Sequence, residues 1–343
     1  MTTDQLVHPE GLVDAFGRVV TDLRVSLTDK CNLRCTYCMP AEGLPWLQRD
    51  AVLTDGELVR LVGIAVHLGV RTLRLTGGEP LVRANVSDLV RRLASLRPRP
   101  GLSITTNGLL LRRQAAALAA AGLDRVNVSL DTLEPRRFAE LTRRDRHSDV
   151  LAGLAAARDA GLSPVKVNTV LMRGINDDEP VQLLAWCLRR GYQLRFIEQM
   201  PLDPQHGWDR TQMVTAAEIL AALRSAYTIE PMRVRGSAPA ERFVVSDGPG
   251  LAAGESGQVG VIASVTRPFC ADCDRMRLTA DGQLRNCLFA RQESDLRAPL
   301  RGGADDAELA RRMQVAIAGK RAGHGIDGPG FVQPDRPMSA IGG

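Results

Sequence analysis

Six short runs rich in β-branched residues alternate with segments of helical periodicity along the first two thirds of the chain. In the first intervening segment, Thr54 and Glu57 predict a capping box, and Gly69 is expected to end the helix. A strand–helix unit repeated six times predicts an α/β fold with a parallel sheet and outer helices. The runs are DLRVSL (22–27), TLRLTG (72–77), LSITTN (102–107), RVNVSLD (125–131), VKVNTVL (165–171) and LRFIEQM (194–200).

Each predicted strand alternates between apolar and polar residues, whereas buried parallel strands usually read as continuous apolar runs. In the first strand, Leu23 and Val25 face one way and Arg24 faces the other. Among the acids, only Asp131 is expected to share the polar phase. Four cations occupy it: Arg24, Arg74, Lys166 and Arg195.

Four unpaired cations would be costly to bury, so this polar phase needs an explanation. One explanation is that these cations form ion pairs with acidic residues of the loops. A lumen that binds a polyanion is the better one, because Arg and Lys side chains aimed at one point are what a di- or triphosphate requires. A curved sheet lined in this way predicts a partial barrel of six strands with its site inside, rather than a flat doubly wound sheet.

The pattern changes after about residue 205. Thr215 and Glu218 predict a capping box on one more helix, and a stretch rich in Gly, Pro and Ser with hairpin-like alternation follows it. We therefore expect the partial barrel over residues 15–230 and a smaller C-terminal domain over residues 231–343.

Composition narrows the class of protein. The chain of 343 residues has a formal net charge of +5, which fits an anionic small molecule as well as nucleic acid, and no block of consecutive Lys or Arg favours a nucleic-acid arm. No apolar run reaches the roughly 18 residues of a membrane span, and the N-terminus has no signal-peptide pattern. We expect a cytoplasmic protein with no nucleic-acid or membrane partner.

The seven cysteines fall into groups of three, one and three. This uneven distribution does not suit a disulfide framework and predicts two metal sites. Cys187 lies alone in a helical pattern and is expected to be a small buried apolar residue. The two groups are Cys31, Cys35 and Cys38, and Cys270, Cys273 and Cys287.

The first group directly follows the first strand, where the loops of a βα barrel carry the chemistry. Three thiolates can bind three irons of a [4Fe–4S] cube and leave the fourth iron open to a small molecule. Zinc or a chance arrangement is the alternative for this spacing alone. Two further features favour the iron–sulfur interpretation: Tyr37 before the last cysteine, and LTGGEPL (75–81) at the end of the second strand.

With these motifs the chain resembles the radical S-adenosylmethionine (SAM) enzymes. The resemblance implies a partial (β/α)6 TIM-like barrel and a [4Fe–4S] cluster whose free iron is chelated by SAM. Reduction of that cluster is expected to cleave SAM and yield a 5′-deoxyadenosyl radical. The SAM contacts that the resemblance implies are Tyr37, Gly78, Ser129 and Met200.

The second group has the spacing Cys270-x2-Cys273-x13-Cys287. A zinc ribbon with a distant fourth ligand such as His324 is one interpretation, and a zinc-dependent nucleic-acid-binding protein would use it. The count of three ligands and the basic pair after Cys273 favour an anionic ligand beside an incomplete metal site instead.

Taken together, the motifs resemble one family of radical SAM enzymes, the GTP 3′,8-cyclases of molybdenum cofactor biosynthesis. The matching segments are GRVVTDLRVSLTDKCNLRCTYCMP, RLTGGEPLVR, TTNGLLL, VNVSLDT, VKVNTVLMRGIND, LRFIEQM, FCADCDRMRLTADGQLRNCLF and the terminal AIGG. Ala340 stands where that family usually has Tyr.

The resemblance implies that a second [4Fe–4S] cluster, carried by the C-terminal domain, binds the guanine of GTP. The radical would abstract the hydrogen from C3′ of GTP, and C3′ would bond to C8, giving (8S)-3′,8-cyclo-7,8-dihydro-GTP. The GTP contacts implied are Arg24, Arg74, Thr105, Lys166, Arg275 and Arg277, with Arg195 as a weaker candidate. The catalytic residues implied are Arg275, Arg277, Gly342 and Gly343.

Several points stay open at the level of sequence. A frayed tail is the alternative for the final glycines. The electron donor is unidentified, the next enzyme of the molybdopterin pathway is a functional partner only, and a homodimer is neither required nor excluded. Another anionic substrate for a radical SAM enzyme is the nearer alternative function, and the zinc protein is the farther one.

Overall fold

The computed structural model describes residues 11–232, 235–326, 328 and 330–342. Its strands are β1 (Asp22–Ser26), β2 (Thr72–Thr76), β3 (Gly101–Thr106), β4 (Arg125–Ser129), β5 (Val165–Val170), β6 (Gln193–Ile197), β7 (Thr228–Pro231), β8 (Glu241–Ser246), β9 (Ser256–Ile262), β10 (Arg275–Leu278), β11 (Gln283–Arg285) and β12 (Ser294–Asp295). Its α-helices are α1 (Asp55–His67), α2 (Val86–Ala94), α3 (Leu111–Ala120), α4 (Pro135–Thr142), α5 (His147–Asp159), α6 (Pro180–Leu188), α7 (Ala216–Arg224), α8 (Arg297–Arg301), α9 (Asp306–Ala318) and α10 (Met338–Ile341).

The first six strands form a parallel sheet in the order in which they occur in the chain, from β1 to β6. Helices lie between consecutive strands, as the βα pattern predicts. The predicted capping boxes are present at both helices: Thr54 with Glu57 on α1, and Thr215 with Glu218 on α7. The predicted parallel α/β architecture is therefore confirmed.

Strands from the last third of the chain extend this sheet at both of its edges. β10 pairs in parallel with β1, and β9 pairs in parallel with β6. The full strand order is β12-β11-β10-β1-β2-β3-β4-β5-β6-β9-β8-β7. The sheet runs without a break across the expected domain boundary at residue 230, and that division of the chain stays a prediction.

The apolar phase of the strands builds the core. Leu23 and Val25 of β1 and Leu73 and Leu75 of β2 are buried with the inner faces of the helices. Cys187 of α6 joins this core with no exposed surface, and burial raises the pKa of its thiol. A small apolar residue in the core is what the helical pattern around it indicates.

The sixth strand is shorter than its sequence suggests. β6 ends at Ile197, and the next residue, Glu198, has a buried carboxylate that bonds to segments outside the sheet. That carboxylate accepts hydrogen bonds from the backbone N–H groups of Ala216, Val265 and Thr266, at 2.8 to 2.9 Å. Met200 therefore lies beyond the strand rather than at its end, in a second apolar cluster with Met338.

None of the helices in the described residues is long and apolar enough to cross a membrane.

Candidate active site

The strand register brings the predicted cations together on one face. Arg24 of β1 pairs with Arg74 of β2 on one side and with Arg277 of β10 on the other. Asp22 pairs in the same way with Arg275. Asp22 precedes Arg24 by two residues and shares its phase, so the expectation that Asp131 is the only acid of this phase is wrong.

Burial and mutual repulsion destabilise the charges of these arginines. Desolvation, with Arg74 next to it, lowers the pKa of Arg24 to about 9. Desolvation likewise lowers the pKa of Arg277 to about 9 and that of Arg74 to about 10. Nε atoms of all three guanidinium groups are buried without a hydrogen-bond partner. A site with this much unsatisfied donor capacity and positive charge fits a bound polyanion.

A cavity of about 550 Å³ opens beside these residues, at the end of the barrel where the parallel strands begin. The only carboxylates among its lining residues are those of Asp22 and Asp274. Arg125 shares the phase of Asn127 on β4, so the alternation pattern could have found it. Arg275 was expected from the motif after Cys273, whereas no pattern points to Arg71, Arg235 or Arg242. The lining cations are Arg71, Arg74, Arg125, Lys166, Arg195, Arg235, Arg242 and Arg275.

Arg195, the weaker candidate, is well buried in this cavity. Its guanidinium donates to Asn168 Oδ1 at 3.0 Å and to Asn127 Oδ1 at 2.7 Å. Asn127 in turn donates from Nδ2 to Thr105 Oγ1 at 3.2 Å. Desolvation and the neighbouring arginines lower the pKa of Lys166 to about 8. These hydrogen bonds join Thr105 and Arg195 through Asn127, which was not predicted as a site residue, into one polar wall across β3, β4, β5 and β6.

The first cysteine group lies at the opposite end of the same strands, on the loop that follows β1. Burial raises the pKa values of Cys31 and Cys35, and it raises that of Cys38 to about 12. Neighbouring thiols also contribute: Cys38 and Cys31 raise the pKa of Cys35, and Cys31 raises that of Cys38. Within this loop, the backbone N–H of Cys38 donates to the carbonyl of Cys35 at 3.0 Å.

Tyr37 is held in place by Asp131, the acid that was expected on the polar face of the strands. Its hydroxyl donates to Asp131 Oδ2 at 2.7 Å, and Asp131 Oδ1 accepts from the N–H of Val170 at 2.9 Å. Burial raises the pKa of Asp131 to about 6 and that of Tyr37 well above its usual value. The aromatic residue of the motif is thus anchored to the ends of β4 and β5.

The GGEP segment lies against the chain just before Cys31. The N–H of Gly78 donates to Thr28 O and that of Glu79 donates to Lys30 O, both at 2.8 Å. Gly77 has φ +137°, and a Cβ at Gly78 would overlap backbone carbonyl oxygens of residues 29 and 30. Only glycine allows this close approach.

Glu79 ties the loop after β2 to the end of β3. Its buried carboxylate accepts from Thr106 Oγ1 and from the N–H of Asn107, both at 2.7 Å. Burial raises its pKa to about 7. The Asn107 side chain then donates to Asn32 Oδ1 at 2.7 Å and lies 3.9 Å from Cys31 Sγ. The GGEP carboxylate therefore supports the cysteine loop through polar contacts.

The second cysteine group lies at the end of the barrel where the strands begin. Cys270 and Cys273 precede β10, and Cys287 follows the antiparallel β11. Burial works against ionisation of Cys273, but the charges of Lys320 and Arg275 outweigh it and lower its pKa. Lys320 Nζ lies 3.5 Å from Cys273 Sγ, and Arg275 Nη1 lies 3.8 Å from it.

A cavity of about 890 Å³ borders all three of these cysteines. His324 lines it too, but its ring nitrogens are engaged with Ser264 O and with the N–H of Ile326, each at 3.2 Å. His324 is therefore not oriented as the fourth ligand of a zinc ribbon.

The C-terminal tail enters the lumen beside the first cysteine group. Ser26 Oγ donates to the carbonyl of Ile341 at 2.9 Å, and Gly342 is buried with φ +85°. A Cβ at Gly342 would overlap Ser26 and Thr76. For the tail as far as Gly342, this placement replaces the frayed alternative, and Gly343 lies outside the described residues.

The remaining predicted SAM contacts border the same end of the barrel. Gly78 lies in the segment that packs on the cysteine loop, and Ser129 closes β4 next to Asn168 of β5. Met200 packs in the apolar cluster that also includes Met338 of the tail. Their roles toward a ligand are predictions that the geometry permits.

Both cysteine groups suit an iron–sulfur cube better than a single ion. Within the described ranges, no three His, Cys, Asp or Glu side chains converge as ligands of one metal ion would. A zinc ion needs all its ligand atoms about 2.0–2.3 Å from one centre, whereas a cube spreads three thiolates over three irons. Three soft thiolates close enough to influence one another therefore fit a [4Fe–4S] cluster at each end of the lumen.

Comparison with known proteins agrees with this arrangement. Residues 25–187 match the Radical SAM superfamily, and residues 192–326 match the family described as Molybdenum Cofactor Synthesis C. A structure of SuiB from Streptococcus suis bound to S-adenosylmethionine has a TM-score of 0.57 at 12% identity, covering 95% of this chain and 76% of that chain. At this identity it supports the fold alone.

Two relatives are much closer in sequence. GTP 3′,8-cyclase from Streptomyces coelicolor is 64% identical over 335 residues, covering 97% of this chain and 96% of the relative. GTP 3′,8-cyclase from Mycobacterium sp. strain KMS is 60% identical over 334 residues, covering 97% and 93%. This chain belongs to the GTP 3′,8-cyclase family of radical SAM enzymes.

Proposed function

We propose that this chain converts GTP to (8S)-3′,8-cyclo-7,8-dihydro-GTP, the first reaction of molybdenum cofactor biosynthesis. The observation that carries the proposal is the pair of three-cysteine groups at opposite ends of one lumen, with buried arginines between them. Membership of the GTP 3′,8-cyclase family supports it.

The parallel pairing of β1 with β10 orients the two groups. Cys31 comes five residues after β1 ends, and Cys273 comes two residues before β10 begins. A five-residue strand spans roughly 13 Å at about 3.3 Å per residue. The space between the groups is therefore comparable to the length of a nucleoside triphosphate, and each group can serve a different part of the reaction.

The triphosphate would bind to the cations of the lumen. The unpartnered Nε atoms of Arg24, Arg74 and Arg277 offer donors to phosphate oxygens, and bound phosphate would offset the desolvation and repulsion that lower their pKa values. Lys166 and Arg195 lie on the same wall. Guanidinium and ammonium donors fixed by their strands would hold the ribose in one position.

The guanine would face the second cysteine group, with Arg275 and Arg277 beside it. At the other end, Tyr37 and Gly78 would hold SAM against the first group. When bound, SAM and the first cluster supply the 5′-deoxyadenosyl radical that takes the hydrogen from C3′ of GTP. The main task of the protein residues is to keep the reacting atoms close and aligned.

The tail would complete this end of the lumen. Gly342 fits between Ser26 and Thr76, where only a residue without a side chain allows the tail to lie this close to β1 and β2. Gly342 would thus limit the space around the reacting atoms, and the catalytic role expected for Gly343 stays a prediction.

Three further expectations accompany the function. The seven cysteines are all free thiols, which suits the expected cytoplasmic location. An electron donor is required but unidentified, and a homodimer is an open prediction.

The test is an anaerobic incubation of the iron-loaded protein with GTP, SAM and a reductant, followed by mass analysis of the products. We expect 5′-deoxyadenosine and a cyclised nucleotide with the mass of GTP in equal amounts. Formation of 5′-deoxyadenosine with another anionic substrate and not with GTP would favour a different radical SAM reaction. Absence of both products from a fully loaded protein would refute the proposal.

A further inference from the structure

A buried lysine lies against the second cysteine group. Lys320 follows the C-terminal end of α9, and only 4% of its surface is exposed. Its Nζ donates to two backbone carbonyls, Cys273 O at 2.9 Å and Arg275 O at 2.8 Å. Its third contact, at 3.5 Å, is the sulfur of Cys273.

This ammonium group has an unusual set of neighbours. The described residues place no carboxylate within ion-pair distance of Lys320, and the nearby guanidinium of Arg18 repels it. The groups that attract it are the thiols of Cys273 and Cys287. A buried cation needs opposite charge, and here only cysteine sulfurs can supply it.

Those sulfurs carry negative charge when they bind a metal cluster. Three thiolates on a [4Fe–4S] cube make the site anionic, and one added electron makes it more so. The charge of Lys320 would stabilise the more negative, reduced state, because nearby charge and hydrogen bonds to the sulfurs set cluster potentials. A neutral side chain at this position would not stabilise the reduced state in this way.

We propose that Lys320 is a positioning residue that holds the Cys273 thiolate and raises the reduction potential of the second cluster. This rests on the proposed function only in so far as that function requires a cluster here. Among the described residues no cation donates to a sulfur of the first group: Cys31 Sγ receives neutral donors instead, the N–H of Leu33 at 3.5 Å and the Asn107 amide at 3.9 Å. Lys320 thus distinguishes the two clusters.

If Lys320 had only a structural role, its loss would affect stability and not the reduction potential of the second cluster. Through Cys273 O and Arg275 O, Lys320 also ties the end of α9 to the start of β10. If that tie were its whole role, loss of the side chain would lower stability and leave the potential of an intact cluster unchanged.

The experiment is a redox titration of the full-length, iron-loaded protein, followed by electron paramagnetic resonance. The signal of the second cluster is the one that Cys270→Ser removes, so its assignment does not depend on GTP. In Lys320→Met we expect the midpoint potential of the second cluster to become more negative and that of the first to stay unchanged. Lys320→Arg, which keeps the charge, is the matched control and should restore most of the difference.

Each outcome decides the proposal. An unchanged second potential in Lys320→Met with both clusters retained would overturn it. Loss of the second cluster in Lys320→Met but not in Lys320→Arg would support a need for the charge, and loss in both would show a structural tie only. If the potential shifts but no cyclised nucleotide forms from GTP, the proposed function fails while the role of Lys320 stands.

Discussion

The two cysteine groups offer the same ligands in opposite surroundings. The first has the acids Asp131 and Glu79 nearby and a neighbouring cation, Arg34, which donates to the carbonyl of Cys31 at 2.7 Å. Burial nevertheless raises the pKa values of all three of its thiols. The second is packed among cations, which lower the pKa of Cys273. Acidic groups beside the first cysteines suit a positively charged sulfonium, and the several cations beside the second suit a nucleotide, so the surroundings of a cluster indicate its ligand better than its cysteines do.

The largest expected effect comes from the first group. Cys35→Ser removes one of three ligands to the group that supplies the radical, so formation of 5′-deoxyadenosine should fall by at least about 10³-fold. Cys187→Ala, which changes a cysteine outside both groups, is the control and should retain activity. Residual 5′-deoxyadenosine near the wild-type level in Cys35→Ser would contradict the role of this group.

The second group should respond differently. Cys287→Ser is expected to leave SAM binding intact, weaken GTP binding and lower cyclisation by about 10²-fold, because the substrate would lose its position relative to the radical. Equilibrium binding of each ligand, measured separately, checks this. Equal loss of SAM and GTP binding would show that the two ends are not independent.

A cation between the two ends should show an intermediate effect. Arg74→Gln removes charged donors to phosphate, each worth about 1.5–3 kcal/mol, so kcat/KM for GTP should fall by about 10- to 100-fold. Arg60→Gln, which removes an exposed ion pair with Asp306 and a hydrogen bond to Ala304 O outside the cavity, should change it by less than about threefold. Similar values for both variants would exclude Arg74 from the substrate site.

The basic end should also set a pH limit on binding. Desolvation lowers the pKa of Lys166 from 10.5 to about 8, so this side chain is charged below that pH and loses its charge above it. GTP affinity should therefore be constant up to about pH 8 and fall roughly three- to tenfold above it. Calorimetric titrations of wild type and Lys166→Arg check this, and an equally steep fall in Lys166→Arg would contradict it.

The smallest expected effect is at the end of the barrel that holds the first cysteine group, and it is an effect of pH on the stability of the protein. Burial raises the pKa of Glu79 from 4.5 to about 7. The folded state therefore binds more protons than the unfolded state between these values, and stability falls as pH rises through this window. The melting temperature of cluster-free wild type should fall relative to that of Glu79→Gln between pH 4.5 and 7. Parallel pH profiles would show that Glu79 keeps an ordinary pKa.

Much of this arrangement could be predicted from local sequence. The βα alternation predicts the six parallel strands, and the phase of Arg24 and Arg74 predicts the basic lumen, because side-chain direction along a strand has a strict period of two. Asp22 was missed although it follows the same rule. The end of β6 was also missed, and the residue just beyond it, Glu198, bonds to backbone groups more than ten residues away that no local pattern identifies.

Other features depend on contacts that no local pattern encodes. Arg242 reaches the cavity from β8, and Lys320 reaches Cys273 from beyond α9, across 47 residues of chain. The insertion of the C-terminal tail beside Ser26 joins residues 315 apart. Such pairs are set by the closure of the whole sheet rather than by the propensity of either segment.

The pairing of β1 with β10 also has a consequence for synthesis of the protein. β1 is made first, but its second neighbour in the sheet, β10, begins only at Arg275. Until then the growing chain exposes an unpaired strand edge, which is a hazard for aggregation. Expression of a fragment that stops near residue 230 would leave both edges of the six-stranded sheet bare, so the radical SAM half is not expected to be soluble alone.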